Sequence, residues 1–100
     1  MSSLSDMTLN EYDQRQLSLM EEMLCSYSSG KITLKQLIDN LEGLLFFLQS
    51  VDVEWKNDFH EHWFVLEQVY AVALFRNESI DPDDPDIQES LKQLRRLLKY

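Results

Sequence analysis

The sequence predicts an all-α protein, an antiparallel bundle of four helices, from three observations. Two Gly and two Pro in 100 residues are too few turn-makers for a many-stranded sandwich or barrel. Apolar residues recur at intervals of three and four in four separate stretches. Residues that start or stop helices bound those stretches. With 44% hydrophobic residues the chain is expected to build one packed core, as a single domain over 1–100.

The first helix is expected from about Thr8 to Tyr27, with Leu9, Tyr12, Gln16, Leu17, Met20, Met23, Leu24 and Tyr27 on one stripe. Thr8 and Glu11 have the spacing of a capping box, and Ser28, Ser29 and Gly30 stop the helix. The second helix starts at Thr33 as N-cap with Gln36 three residues on, and Ile32 is placed to staple against Leu37. Leu34, Leu37, Ile38, Leu41, Leu44, Leu45 and Leu48 mark its core face, while Lys35, Asp39 and Glu42 face water. The run Leu44 to Leu48 could be read as a buried strand, but the leucine spacing before it favours continuing the helix. Gly43 costs about 1 kcal/mol there relative to Ala, which a close helix crossing would explain.

The pattern breaks at Ser50 to Asp52 and restarts in a new phase with Trp55, Phe59, Trp63, Leu66, Tyr70, Ala73 and Leu74. This aromatic helix is expected to supply the centre of the core. Phe64, Val65, Val72 and Phe75 fall off its stripe, which implies either a second buried face or a contact surface. RNESIDPDD, from Arg76 to Asp84, reads as a polar loop. Asp84 then caps a last helix that begins with Pro85 and turns Ile87, Leu91, Leu94 and Leu97 or Leu98 inward. Its early acids, Asp86 and Glu89, and late bases, Lys92, Arg95, Arg96 and Lys99, match the helix dipole.

Chemistry is sparse along the chain. His60 and His62 lie two apart, so on a helix they point roughly 200° away from each other and one ion cannot easily hold both. Asp58 and His62 are the single one-turn pair able to share a proton or ion, and a surface ion pair is the expected role. Cys25 has no nearby base in sequence to make it nucleophilic, and is expected as a half-buried helix thiol. There is no glycine-rich phosphate loop and no serine elbow. Neither an enzyme nor a cofactor-binding or metal-binding protein is therefore expected. One Cys cannot form an internal disulfide, and the start MSSLSDMTLNEYDQR lacks the pattern of a secretion leader, so a cytoplasmic location with no membrane association is expected.

Charge is the informative feature. The net charge is −9, and residues 1–91 hold all 18 acids against five bases, while four bases crowd the last nine positions. Direct binding of nucleic acid would work against this field, whereas a basic protein partner would be drawn to it. Two acidic patches are the candidate contact residues: Glu54, Asp58 and Glu61 along one helical face, and Glu78, Asp81, Asp83, Asp84 and Asp86 about the last loop. Exposed aromatics beside them, such as Trp55 or Phe64, are expected to act as desolvated anchors.

The segments YSSGKITLKQLIDNLEGLLFFL, WKNDFHEHWFVLEQVYAVAL and RNESIDPDDPD, within about residues 20–90, together resemble small acidic all-helical bacterial immunity proteins. Those proteins neutralise toxic nuclease domains, such as those of contact-dependent growth inhibition and the tRNase colicins. The resemblance implies a cognate toxin nuclease domain as the basic partner and no catalysis. It transfers no contact residue; the acidic positions above come from the charge distribution. The competing expectation is a non-catalytic adaptor or regulatory subunit, a homodimer joined around Phe46, Phe47, Phe64 and Phe75.

Overall fold

The computed structural model describes Leu4 and residues 7–99, so the first residues of the expected leader-free start lie partly outside it. Its elements are α1 (Glu11–Ser28), α2 (Leu34–Phe46), α3 (Val53–Phe75) and α4 (Pro85–Leu97), with no strand among the described residues. Helix α1 begins later than the Thr8–Glu11 spacing suggested. Asn10 is its N-cap, its side-chain oxygen accepting from the Asp13 N–H at 2.7 Å. An Asn side chain is at least as good an acceptor there as Thr, and Glu11 becomes the first helical residue. At the other end Gly30 takes φ 77°, the Gly30 N–H reaches the Tyr27 carbonyl and the Lys31 N–H reaches that of Ser26. This is a Schellman closure, and Gly occupies its left-handed position without Cβ strain. The Thr33–Gln36 capping box forms in both directions, and Asp84 caps α4 with Pro85 behind it.

Consecutive helices pack side by side: α1 on α2, α2 on α3 and α3 on α4, with a lighter α1–α4 contact closing the bundle. Side-chain bonds fix the antiparallel order. The Trp55 indole N–H donates to the Leu97 carbonyl at 3.0 Å, joining the start of α3 to the end of α4. The Trp63 indole donates to the Ile38 carbonyl at 2.9 Å, joining the middles of α3 and α2. The core is the predicted one in large part. Leu17, Met20 and Leu24 of α1, Leu34, Leu37, Ile38, Leu41 and Leu45 of α2, Trp55, Phe59, Trp63 and Leu66 of α3, and Ile87, Leu91, Leu94 and Leu98 at α4 are all buried. Trp55 and Phe59 stack within it at 5.3 Å. Their buried area makes α3 the centre of the core, since each large side chain contributes roughly 1.5–3 kcal/mol.

Helix α2 stops at Phe46, two residues short of Leu48, and a buried carboxylate explains why. Asp13, 0% exposed, accepts the Gln49 N–H at 3.0 Å, the Ser50 N–H at 2.6 Å and the Ser50 hydroxyl at 2.6 Å. The Lys56 ammonium donates to the Leu48 carbonyl at 2.8 Å. The amides of Gln49 and Ser50 are thus turned toward α1 and are lost to α2. Leu48 still reaches the core from this non-helical corner. Burial by itself pushes the Asp13 carboxyl up. The Ser50 hydroxyl, the Ser50 and Gln49 N–H groups and the charge of Lys56 together outweigh it, and hold the group below its ordinary value.

Gly43 marks no close crossing, contrary to the sequence reading. A Cβ built on it meets nothing within 4 Å. Its cost in helix propensity is therefore uncompensated by packing.

Two stability measurements follow from these geometries. Asp13→Ala leaves buried donors at the α2–α3 corner unmet and should cost about 2–4 kcal/mol at pH 7 by denaturant unfolding. Because the folded carboxyl is held low, its stabilisation is fully present above the unfolded value of about 3.9 and is lost as pH falls through the lower folded value. The gap between wild type and Asp13→Asn should therefore be flat above about pH 5 and narrow below about pH 4. An Asp13→Ala protein within 0.5 kcal/mol of wild type would mean that the corner holds itself. Gly43→Ala should raise stability by about 0.5–1 kcal/mol, and a destabilised variant would contradict the open space around this position.

Candidate functional site

The predicted loop acids lie where α3 ends and the chain returns to α4. Arg76 is the C-cap of α3, and Asn77 follows at φ 55°. The Asn77 N–H reaches the Leu74 carbonyl at 3.2 Å and the Glu78 N–H reaches that of Ala73 at 2.8 Å. This repeats the closure of α1 with Asn in place of Gly, a residue that tolerates the left-handed region better than most. The chain is folded back along α3. Asp81 Oδ1 then accepts the Asp83 N–H at 2.9 Å, the Gln88 amide donates to the Pro82 carbonyl at 2.6 Å, and Asp84 Oδ1 accepts the Asp86 N–H at 2.8 Å. Local bonds thus order the connection and leave its carboxylates at the surface.

Between this connection and α3 lies a hollow of about 700 Å³. Val65, Val69, Val72 and Ile80 give it apolar walls, and Glu78, Asp81, Asp84 and Asp86 line it beside a single base, Arg76. Four of the five acids predicted about the loop therefore converge on one concavity. Asp83 is exposed outside its lining. Among the described residues none of these five acids forms an ion pair, so their field is uncancelled at short range. Its reach shows at Tyr27, whose hydroxyl is pushed up by burial and by the charge of Asp81.

The second predicted patch has a different setting. Glu54, Asp58 and Glu61 follow one edge of α3, and Val65 and Val72 continue that edge toward the hollow, at intervals of three, four and seven. The contact between Trp55 and Leu97 places the Glu54 end of the stripe beside the last turn of α4, which carries Arg95 and Arg96. Of the three, Glu54 is therefore nearest that basic turn, and Asp58 and Glu61 lie about one and two turns farther from it. Trp55, expected as an exposed anchor, is 0% exposed and belongs to the core. Phe64 is exposed, as anticipated.

The four phenylalanines do not form one patch. Phe46 and Phe47 meet edge to face at 5.4 Å, His60 shares a hollow with Phe46, and His60 stacks on Phe64 at 6.3 Å. Phe75 lies eleven residues beyond Phe64, about 16 Å along the helix. Leu74, assigned to the core stripe, is exposed, because the end of α3 runs past its neighbours. His62 forms no ion pair with Asp58, and no cluster of His, Cys, Asp and Glu suited to a metal ion occurs among the described residues. Cys25 is exposed rather than half-buried, on the outer side of α1 away from Leu17, Met20 and Leu24.

Sequence reasoning found the loop acids, and it set Val65 and Val72 off the aromatic stripe as a second buried face or a contact surface, but it did not include Val69 or join the valines to the acids. The signal was present in the spacing of Val65, Val69 and Val72, off the aromatic stripe, but only the fold shows that Ile80 closes the other side. No helix among the described residues is long and apolar enough to cross a membrane. No protein-family model, curated protein or solved structure matches the chain.

Proposed function

We propose that this chain is a non-catalytic binding protein that captures a basic protein partner on the edge shared by α3 and the α3–α4 connection. The finer reading is that of an immunity protein: the partner is the nuclease domain of a cognate bacterial toxin, and capture blocks its nucleic-acid cleft. One observation carries this, the apolar hollow lined by Glu78, Asp81, Asp84 and Asp86 with no ion pair on any of them. An uncancelled field steers an oppositely charged protein into encounter, and apolar walls then slow its release. A nuclease cleft is built to receive phosphates, so carboxylates at a rim can occupy the same basic positions.

The test uses the quadruple variant Asp81→Asn, Asp83→Asn, Asp84→Asn and Asp86→Asn. Asn keeps a side-chain oxygen for the turns at Asp81 and Asp84, so α4 retains its cap while the charge goes. Association with the cognate basic partner should slow about tenfold or more at low salt, with a flatter salt dependence. An unchanged rate removes this edge as the interface. A partner with no nuclease activity, or one whose activity survives binding, refutes the toxin reading alone.

A second reading, self-association as an adaptor, is favoured by the exposed cluster of Phe46, Phe47 and Phe64, with Phe46 at 78% exposure. Wild type should then sediment as a dimer at micromolar concentration, and Phe46→Ser with Phe47→Ser should return it to a single chain. A wild-type monomer at that concentration disposes of this alternative.

A further inference from the structure

Helix α3 has 23 residues, and the two helices packed against it, α2 and α4, have 13 each. At 1.5 Å per residue it is about 15 Å longer than either. Its last turns consequently lack neighbours: Val72 and Leu74 are exposed and Phe75 is 91% exposed. A helix that is apolar on most sides is ordinarily enclosed by other elements, and here the enclosure is incomplete. The open side beside the connection carries Val65, Val69 and Val72 at intervals of four and three, with Ile80 opposite.

We infer that this hollow receives an amphipathic basic α-helix of the partner, laid along the C-terminal half of α3; the inference rests on the proposed reading that the partner is a basic protein. Spacing favours a helix, because a row at i, i+4 and i+7 interdigitates with the same row on a second helix. An extended peptide would need a sheet edge to join, and the described residues contain no strand. A polyproline segment docks between aromatic plates, and no aromatic residue lines this hollow. Charge complementarity sets the rest of the occupant. Glu78, Asp81, Asp84 and Asp86 against Arg76 call for Lys or Arg on the flank facing the connection, with Leu, Ile or Val facing the valines. From Val65 to Phe75 the available length is about 15 Å, or some three turns of the incoming helix.

The probes are two synthetic peptides of identical Leu, Ala and Lys content. One places leucines at helical three–four spacing with lysines along one flank; the other has the same residues reordered so that no apolar face exists. Each is titrated into the full chain carrying methyl-labelled Val and Ile, at several salt concentrations. The amphipathic peptide should shift Val65, Val69, Val72 and Ile80, gain helical circular dichroism on binding, and bind at least tenfold more tightly than the reordered one. Val72→Glu, at an exposed site outside the core, should weaken it at least tenfold although the variant is more negative. Equal binding of the two peptides, tighter binding to Val72→Glu, or no shift at these methyls overturns the helical occupant. The basic-partner reading is judged separately, by the effect of the four Asp→Asn changes on the natural partner, so the two can fail independently.

Discussion

The architecture depends on one buried carboxylate. Asp13 collects the amides of Gln49 and Ser50 and the Ser50 hydroxyl, and so ends α2 and sets the corner from which α3 departs. Asn10, the cap of α1, donates to the Gln49 side chain at 3.5 Å and to the Ser50 hydroxyl at 3.4 Å, so the same corner is tied to the start of α1. Burying a charge is costly unless several donors surround it, and this corner supplies them along with the nearby Lys56. The corner fixes where α3 begins. The Trp55 indole then ties its start to the end of α4, and the Lys56 and Trp63 bonds to Leu48 and Ile38 run it back along α2, which determines which edge is left for the connection to approach.

Fold class and most of the core were legible in the sequence because both depend on local rules. The Thr33–Gln36 box, Gly30 and the Asp84–Pro85 start are short-range signals, and each forms as read. The misreadings share another cause. Leucine spacing extended α2 through Leu48, but Asp13 lies 36 residues from Gln49, and no local pattern announces that bond. Leu74 continued an apolar stripe correctly and yet met no neighbour, because helix periodicity tells which way a residue faces and says nothing of what stands opposite. The end of α3 at Phe75 was legible from the polar run that starts at Arg76, although the left-handed closure at Asn77 was not, for want of a Gly there.

The same division applies to the candidate site. Charge counting picked out both acidic patches, since most carboxylates stay at the surface, the buried Asp13 being an exception. It ranked them equally, whereas the fold distinguishes them: Glu54, Asp58 and Glu61 are spread along one edge of α3 with Glu54 nearest the basic end of α4, while the loop acids surround an apolar hollow with Arg76 as the one base in its lining. Like charges brought together on a loop repel one another, so their concentration beside the half-buried Val65 and Val69 and the exposed Val72 works against the isolated fold.

Capping accounts for only part of that concentration. Asp84 accepts the Asp86 amide and lies at the positive end of the α4 dipole, where a carboxylate gains over Asn. Asp81 accepts the Asp83 amide in a turn that Asn would close equally well, and it raises the cost of ionising Tyr27. The Asp83 carboxylate lies exposed with no ion pair. For Asp81 and Asp83 the neutral amide would serve the fold at no loss and with less repulsion. Local hydrogen bonding therefore does not account for their charge, which is the surplus that the proposed capture of a basic partner draws on.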